Sequence, residues 1–178
     1  MSSQDADHGL ILRHSGGSGD RAYFLGKPAP FGTDWYVETG VNPPFPAWSS
    51  YMRVGCAIRD SSTGKLMIWG FGWESQAPRW AGIMMTDKDT YAATYDPQSM
   101  HAGAVPLAVY FRIRRDGANY RLCTSGDGGE TWVQVGTQTV SSTLTADQVG
   151  ICIENYGSVP VSPVSGVFHY YADSDNPY

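Results

Sequence analysis

Residues 109–136 read VYFRIRRDGANYRLCTSGDGGETWVQVG, and this stretch decides the fold class. Val109, Phe111 and Ile113 alternate with Tyr110, Arg112 and Arg114, the two-residue period of a strand with one apolar and one polar face. Asp116-Gly117 follows, a dipeptide that accepts positive φ in a tight hairpin turn. Tyr120, Leu122 and Thr124 resume the alternation, and a second turn, Ser125 to Glu130, leads into Thr131-Trp132-Val133-Gln134-Val135. The pattern predicts two consecutive antiparallel hairpins and an all-β protein.

Short strand-like runs continue outward on both sides: Gly9 to Arg13, Ala22 to Leu25, Asp34 to Gly40, Ser50 to Asp60, Lys65 to Trp73, Val149 to Ile153 and Gly166 to Ala172. Ala81 to Met85 and Thr90 to Tyr95 fit strands as well. In the run from Ser50 to Asp60, Met52, Val54, Cys56 and Ile58 share one face while Tyr51, Arg53 and Arg59 share the other. Asn42-Pro-Pro-Phe-Pro46 forbids regular pairing and reads as a surface loop. Residues 96–106 read as a connecting loop, and 139–148 as a loop with room for one helical turn. About a dozen short strands with no repeat predict an antiparallel two-sheet jelly-roll sandwich. Residues 1–7 are expected to be a flexible tail and residues 8–178 a single β-sandwich domain.

With 178 residues the chain can bury a core without covalent staples. Only 16% of residues are charged and the net charge is −5, which argues against a nucleic-acid backbone or an anionic membrane as partner. No apolar run approaches the roughly 20 residues of a membrane span. The polar, acidic opening MSSQDADHG does not read as a secretory signal. Cys56, Cys123 and Cys152 are widely spaced inside strand-like runs, so they read as core thiols of a protein folding in a reducing cytoplasm.

The stretch 109–136, followed by VGICIENYG and GVFHYYADSD, is similar to the concanavalin A-like lectin/glucanase superfamily, in particular its non-catalytic branch. There an arginine-rich strand like Arg112-Ile-Arg114-Arg115 precedes a Ser–Asp-Gly–Trp hairpin. The run Gly55-Cys-Ala-Ile-Arg59-Asp60-Ser-Ser-Thr-Gly64-Lys65 resembles the family's first core hairpin. The resemblance implies a module of the kind found in bacterial glycosidases and in phage tail and capsid appendages. Ser125-Gly-Asp127-Gly-Gly129-Glu-Thr131-Trp132 also resembles the Asp-box of sialidase propellers. A propeller needs several copies and this chain has one, so Ser125, Asp127, Gly129, Thr131 and Trp132 are expected to be a structural turn, the Asp ordering the loop and the Trp packing under it.

Catalytic members of the superfamily carry an E-x-D-x-E strand, and no such triplet occurs here. Glu38, Glu74 and Glu154 lie near strand centres or ends and read as satisfied surface or rim groups; Glu74 is the one to test if activity were found. His8, His14, His101 and His169 lack a neighbouring base–nucleophile pattern. No catalytic residue and no metal site are assigned. Asp87-Lys-Asp89 and Asp173-Ser-Asp175 offer oxygens for a calcium ion but form no calcium-loop motif, so no cofactor is expected.

The first half of the chain is instead rich in aromatics: Trp35, Tyr36, Trp48, Tyr51, Trp69, Trp73 and Trp80. Sugar rings stack their C–H faces on such side chains, and protein interfaces use them too. Trp69, Phe71 and Trp73 share a face that is either core or platform. Trp48, Trp73 and Trp80, near predicted loops, are the candidate glycan contacts, with Glu74, Arg112 and Arg114; carboxylate pairing from a neighbouring strand is the alternative for the arginines. The expected function is a non-catalytic carbohydrate-binding or structural module of a phage virion, with glycans or other virion proteins as partners and a trimer in view. The rivals are a glycoside hydrolase or its secreted accessory domain, and a virion cement protein whose aromatics bind protein.

Overall fold

Alternating runs become strands where one face can be buried, and here two sheets bury each other. The computed structural model describes residues 3–6, 9–14, 21–42, 51–74, 77–95, 109–156 and 164–174. The described residues form β1 (Ser3–Ala6), β2 (Gly9–His14), β3 (Arg21–Pro28), β4 (Asp34–Asn42), β5 (Tyr51–Arg59), β6 (Leu66–Glu74) and β7 (Ala77–Asp87). They continue with β8 (Thr90–Tyr95), β9 (Val109–Asp116), β10 (Asn119–Ser125), β11 (Val133–Thr139), β12 (Gln148–Tyr156) and β13 (Val164–Asp173). One seven-stranded sheet has the order β1-β2-β13-β4-β9-β10-β11, and a six-stranded sheet has the order β3-β12-β5-β6-β7-β8. Every strand pair is antiparallel. The protein is a jelly-roll β-sandwich.

The core lies between the sheets. Val54, Cys56, Met67, Trp69 and Phe71 come from one sheet; Val37, Phe111, Ile113, Tyr120, Leu122 and Phe168 come from the other. Trp69 and Phe71 are therefore core rather than platform. The Trp69 indole meets the Phe111 ring edge-on at 5.7 Å and donates to the Cys123 carbonyl at 2.7 Å, which ties the two sheets together. The buried Tyr120 hydroxyl donates to the Leu144 carbonyl and accepts from the Ala146 N–H, both at 3.1 Å.

β5, β6, β7 and β12 are buried on their second faces as well, where Arg53 pairs with Glu154 at 3.6 Å and a second apolar cluster forms. Ala57, Ile68 and Ile83 are register partners and alternate with core residues, so they face away from the first core; Leu66, Met85 and Cys152 join them. The Ala22 N–H donates to the Lys88 carbonyl at 2.7 Å, bringing β3 and the β7–β8 turn together from opposite edges of the six-stranded sheet. Cys56, Cys123 and Cys152 are free and buried, and burial pushes all three thiols up.

Three local expectations are refined. Part of the supposed tail is a strand: Ser3–Ala6 pairs with Gly9–Leu12 at the sheet edge, where backbone groups supply the ladder and no apolar face is required. In the 139–148 segment, Val140–Ser142 forms a 3-10 turn that leads the buried Leu144 and Ala146 to Tyr120. Asp173, read as a loop acid, ends β13 fully buried and pairs with Lys27 of the opposite sheet at 3.0 Å. The predicted loops at 42–46 and 96–106 lie, apart from Asn42, outside the described residues.

Candidate functional site

The polar halves of β4, β9 and β10 in the seven-stranded sheet share one outward face. β4 and β9 pair so that Glu38 stands opposite Arg112, Tyr36 opposite Arg114, and Asp34 opposite Asp116. β10 continues the rows with Cys123, Arg121 and Asn119. Three ion pairs follow from this register. Arg112 grips Glu38 through both Nε and a terminal nitrogen. Arg114 reaches Asp34 at 3.1 Å. Arg121 binds Asp116 through Nε at 2.7 Å and Gln134 at 2.8 Å.

Arg112 is the centre of this face. Its guanidinium lies 4.7 Å from the Tyr36 ring centroid and 4.0 Å from that of Trp132, so it is stacked between two aromatic faces while bound to Glu38. Its side chain remains 22% exposed, whereas Glu38 is nearly buried beneath it. The arrangement leaves both rings and the guanidinium group partly exposed.

The turn after β10 delivers one of those rings. The Ser125 hydroxyl donates to Asp127 at 2.6 Å and accepts from the Gly129 N–H at 2.9 Å. Asp127 accepts from the Thr131 N–H at 2.9 Å and from the Thr131 hydroxyl. These donors hold the Asp127 carboxyl well below the usual carboxylate range, the Ser125 hydroxyl contributing most. Gly128 and Gly129 take φ of +83° and +92°, and the Trp132 indole donates to the Gly129 carbonyl at 2.9 Å. The same turn therefore orders its own loop and lays Trp132 over Arg112.

Arg112 and Arg114 thus share the outward face, each paired with a carboxylate of β4. Trp80 sits within β7 rather than beside a loop; its ring packs against the core and meets Phe111 edge-on at 6.4 Å. Trp73 and Glu74 end β6, and their side chains lie outside the described residues, as does the whole of Trp48. From sequence, Tyr36 stands only among the first-half aromatics and Trp132 only as a turn residue; the signal that joins both to Arg112 is their place beside the arginine strand, once register is known. Asp87 accepts from the Asp89 N–H at 2.8 Å within the β7–β8 turn. Among the described residues no group of three or more His, Cys, Asp or Glu is placed to hold a metal ion.

No protein-family model matches the sequence, and no curated protein sequence matches it. Solved structures do. A functionally unknown protein from Saccharomyces cerevisiae superposes with a TM-score of 0.68 at 15% identity, over 99% of this chain and 92% of that one. A xylan β-1,4-xylosidase from Bacillus halodurans gives 0.58 at 17% identity, over 93% of this chain and 32% of the xylosidase. The exoplasmic/lumenal domain of VIP36, in a form bound to Ca2+ and Man2, gives 0.51 at 10% identity, over 95% and 79%. The fold is a lectin/glucanase-like β-sandwich. At these identities the likeness is one of fold, and the chain spans about a third of the xylosidase's length.

Proposed function

We propose that this chain is a non-catalytic carbohydrate-binding sandwich of the concanavalin A-like kind, with the outward face around Arg112 as its glycan platform. The observation that carries this reading is the Arg112 guanidinium held between the rings of Tyr36 and Trp132 beside Glu38. Sugars need flat apolar faces next to fixed donors and acceptors, and this face offers both. Clamping the arginine beforehand lowers the ordering cost of binding. Three guanidinium groups are matched by three carboxylates, which suits neutral, hydroxyl-rich glycans better than polyanions.

Glu38, Asp34 and Asp116 are each engaged by an arginine, which suits hydroxyl acceptors rather than the acid–base pair that glycoside hydrolysis uses. The similar folds of the VIP36 domain in its Ca2+/Man2-bound form and of a xylosidase support a carbohydrate role at the level of fold. The setting we propose, a phage particle, rests on the sequence argument that a glycan-facing domain with free thiols leaves the cytoplasm by lysis.

A glycan array followed by calorimetry, on the chain and on Tyr36→Ala and Arg114→Ala, tests the platform. Saturable binding to a neutral oligosaccharide is expected, weakened about tenfold in Tyr36→Ala by loss of one stacking contact. Folded protein that binds no glycan, or Tyr36→Ala binding like the parent, would overturn the reading.

A further inference from the structure

The β3–β4 loop is held firmly at both ends. Ala29 packs against the core and its N–H donates to the Asp147 carbonyl at 2.8 Å; Pro30 is buried. On the far side the Gly117 N–H donates to the Thr33 carbonyl at 2.8 Å, and Gly32 reverses the chain at φ +89°. Between these anchors Phe31 is 102% exposed. The two anchors fix the backbone of this loop and leave the apolar Phe31 ring in solvent. A rigid, fully presented aromatic is also the form taken by the anchor residue of an interface.

The same chain carries an opening of matching size. Between β2 and β13 on one side and β3 and β12 on the other lies a crevice of about 270 Å³, lined by Leu10, Leu25, Ile151, Phe168, Tyr171 and Lys27. Leu25 is 40% exposed, so apolar surface is left uncovered here as well. A cavity of about 150 Å³ lined by Leu, Ile and Phe holds benzene, so this crevice has room for a phenyl ring and its methylene. The Lys27 ammonium, tied to Asp173 at 3.0 Å, stands at its side and offers a cation to an entering ring.

We propose that Phe31 of one copy seats in this crevice of a second copy, so that the chain self-associates as knob into crevice. Knob and opening are both exposed on one chain and need no further partner. The two patches differ, so the contact closes into a ring, runs on as an open filament, or is exchanged reciprocally across a twofold axis. The self-association itself does not depend on glycan binding.

Sedimentation velocity on the full chain, from about 10 μM to 1 mM, tests this. The parent is expected to associate with rising concentration. Phe31→Ser and Leu25→Arg, both at exposed positions, are expected to stay monomeric while keeping the parent's circular dichroism and melting. Mixing the two variants is expected to restore association, because one keeps the crevice and the other keeps the ring. A parent that is monomeric throughout, a Phe31→Ser variant that associates like the parent, or a mixture that stays monomeric would each overturn the proposal. Phe31→Lys repeats the test should the serine variant misfold.

Discussion

Asp127 shows how one side chain orders a turn and, through it, a surface. Its carboxylate gathers the Ser125 and Thr131 hydroxyls and the Thr131 N–H, and all of these favour the charged form. Its pKa is lowered from the ordinary 3.8 in the folded chain, so it binds a proton less readily folded than unfolded. Its contribution to stability is therefore fully present above pH 3.8 and is lost as pH falls below that value through the depressed folded pKa. Asp127→Asn is expected to melt below the parent at pH 7, with the gap narrowing as pH falls below 3.8; melts across that range check it. An equal gap at every pH would mean that the carboxylate's charge is not what orders the turn. This device was legible from sequence because all its members lie within eight residues. That Trp132 also covers Arg112 was not, since the guanidinium lies twenty positions earlier, on another strand.

Among the elements, β5 and β6 depend on glycines to approach each other. Gly55 and Gly70 are register partners at the middle of both strands. A Cβ on Gly70 would lie 2.1 Å from the Val54 carbonyl oxygen, and one on Gly55 2.1 Å from that of Trp69. Both obstacles are backbone, which cannot rotate aside. Gly70→Ala is expected to cost about 1–3 kcal/mol in urea denaturation, as overpacked cores do. Gly126→Ala, whose added methyl meets nothing within 4 Å, is the matched control and is expected to be near neutral. Sequence reading found both strands by alternation but saw nothing special in these glycines, because the conflict arises only across the ladder. It also passed over β1, whose sequence SQDA carries no apolar alternation to read.

At the scale of the whole molecule, the sandwich is closed by strands distant in sequence. β13 lies between β2 and β4, contributes Phe168 to the core, and carries the buried Asp173 that pairs with Lys27 across the sheets. Truncation after Tyr156 would leave two strands without their neighbour and a hole in the core. Such a chain is expected to lose its cooperative urea transition; a sharp transition retained at the parent's midpoint would contradict this account. What the amino-acid order determined by itself was local: the two-residue period, the hairpin turns, and the outward parity of Arg112 and Arg114, because each depends on neighbours within a few positions. Tertiary structure alone decided that Glu38 would meet Arg112 across 74 residues, that Trp80 would pack on Phe111, and that Phe31 would stand in solvent. Register and sheet-on-sheet packing arise from the summed burial of many residues, and no single stretch of chain contains that sum.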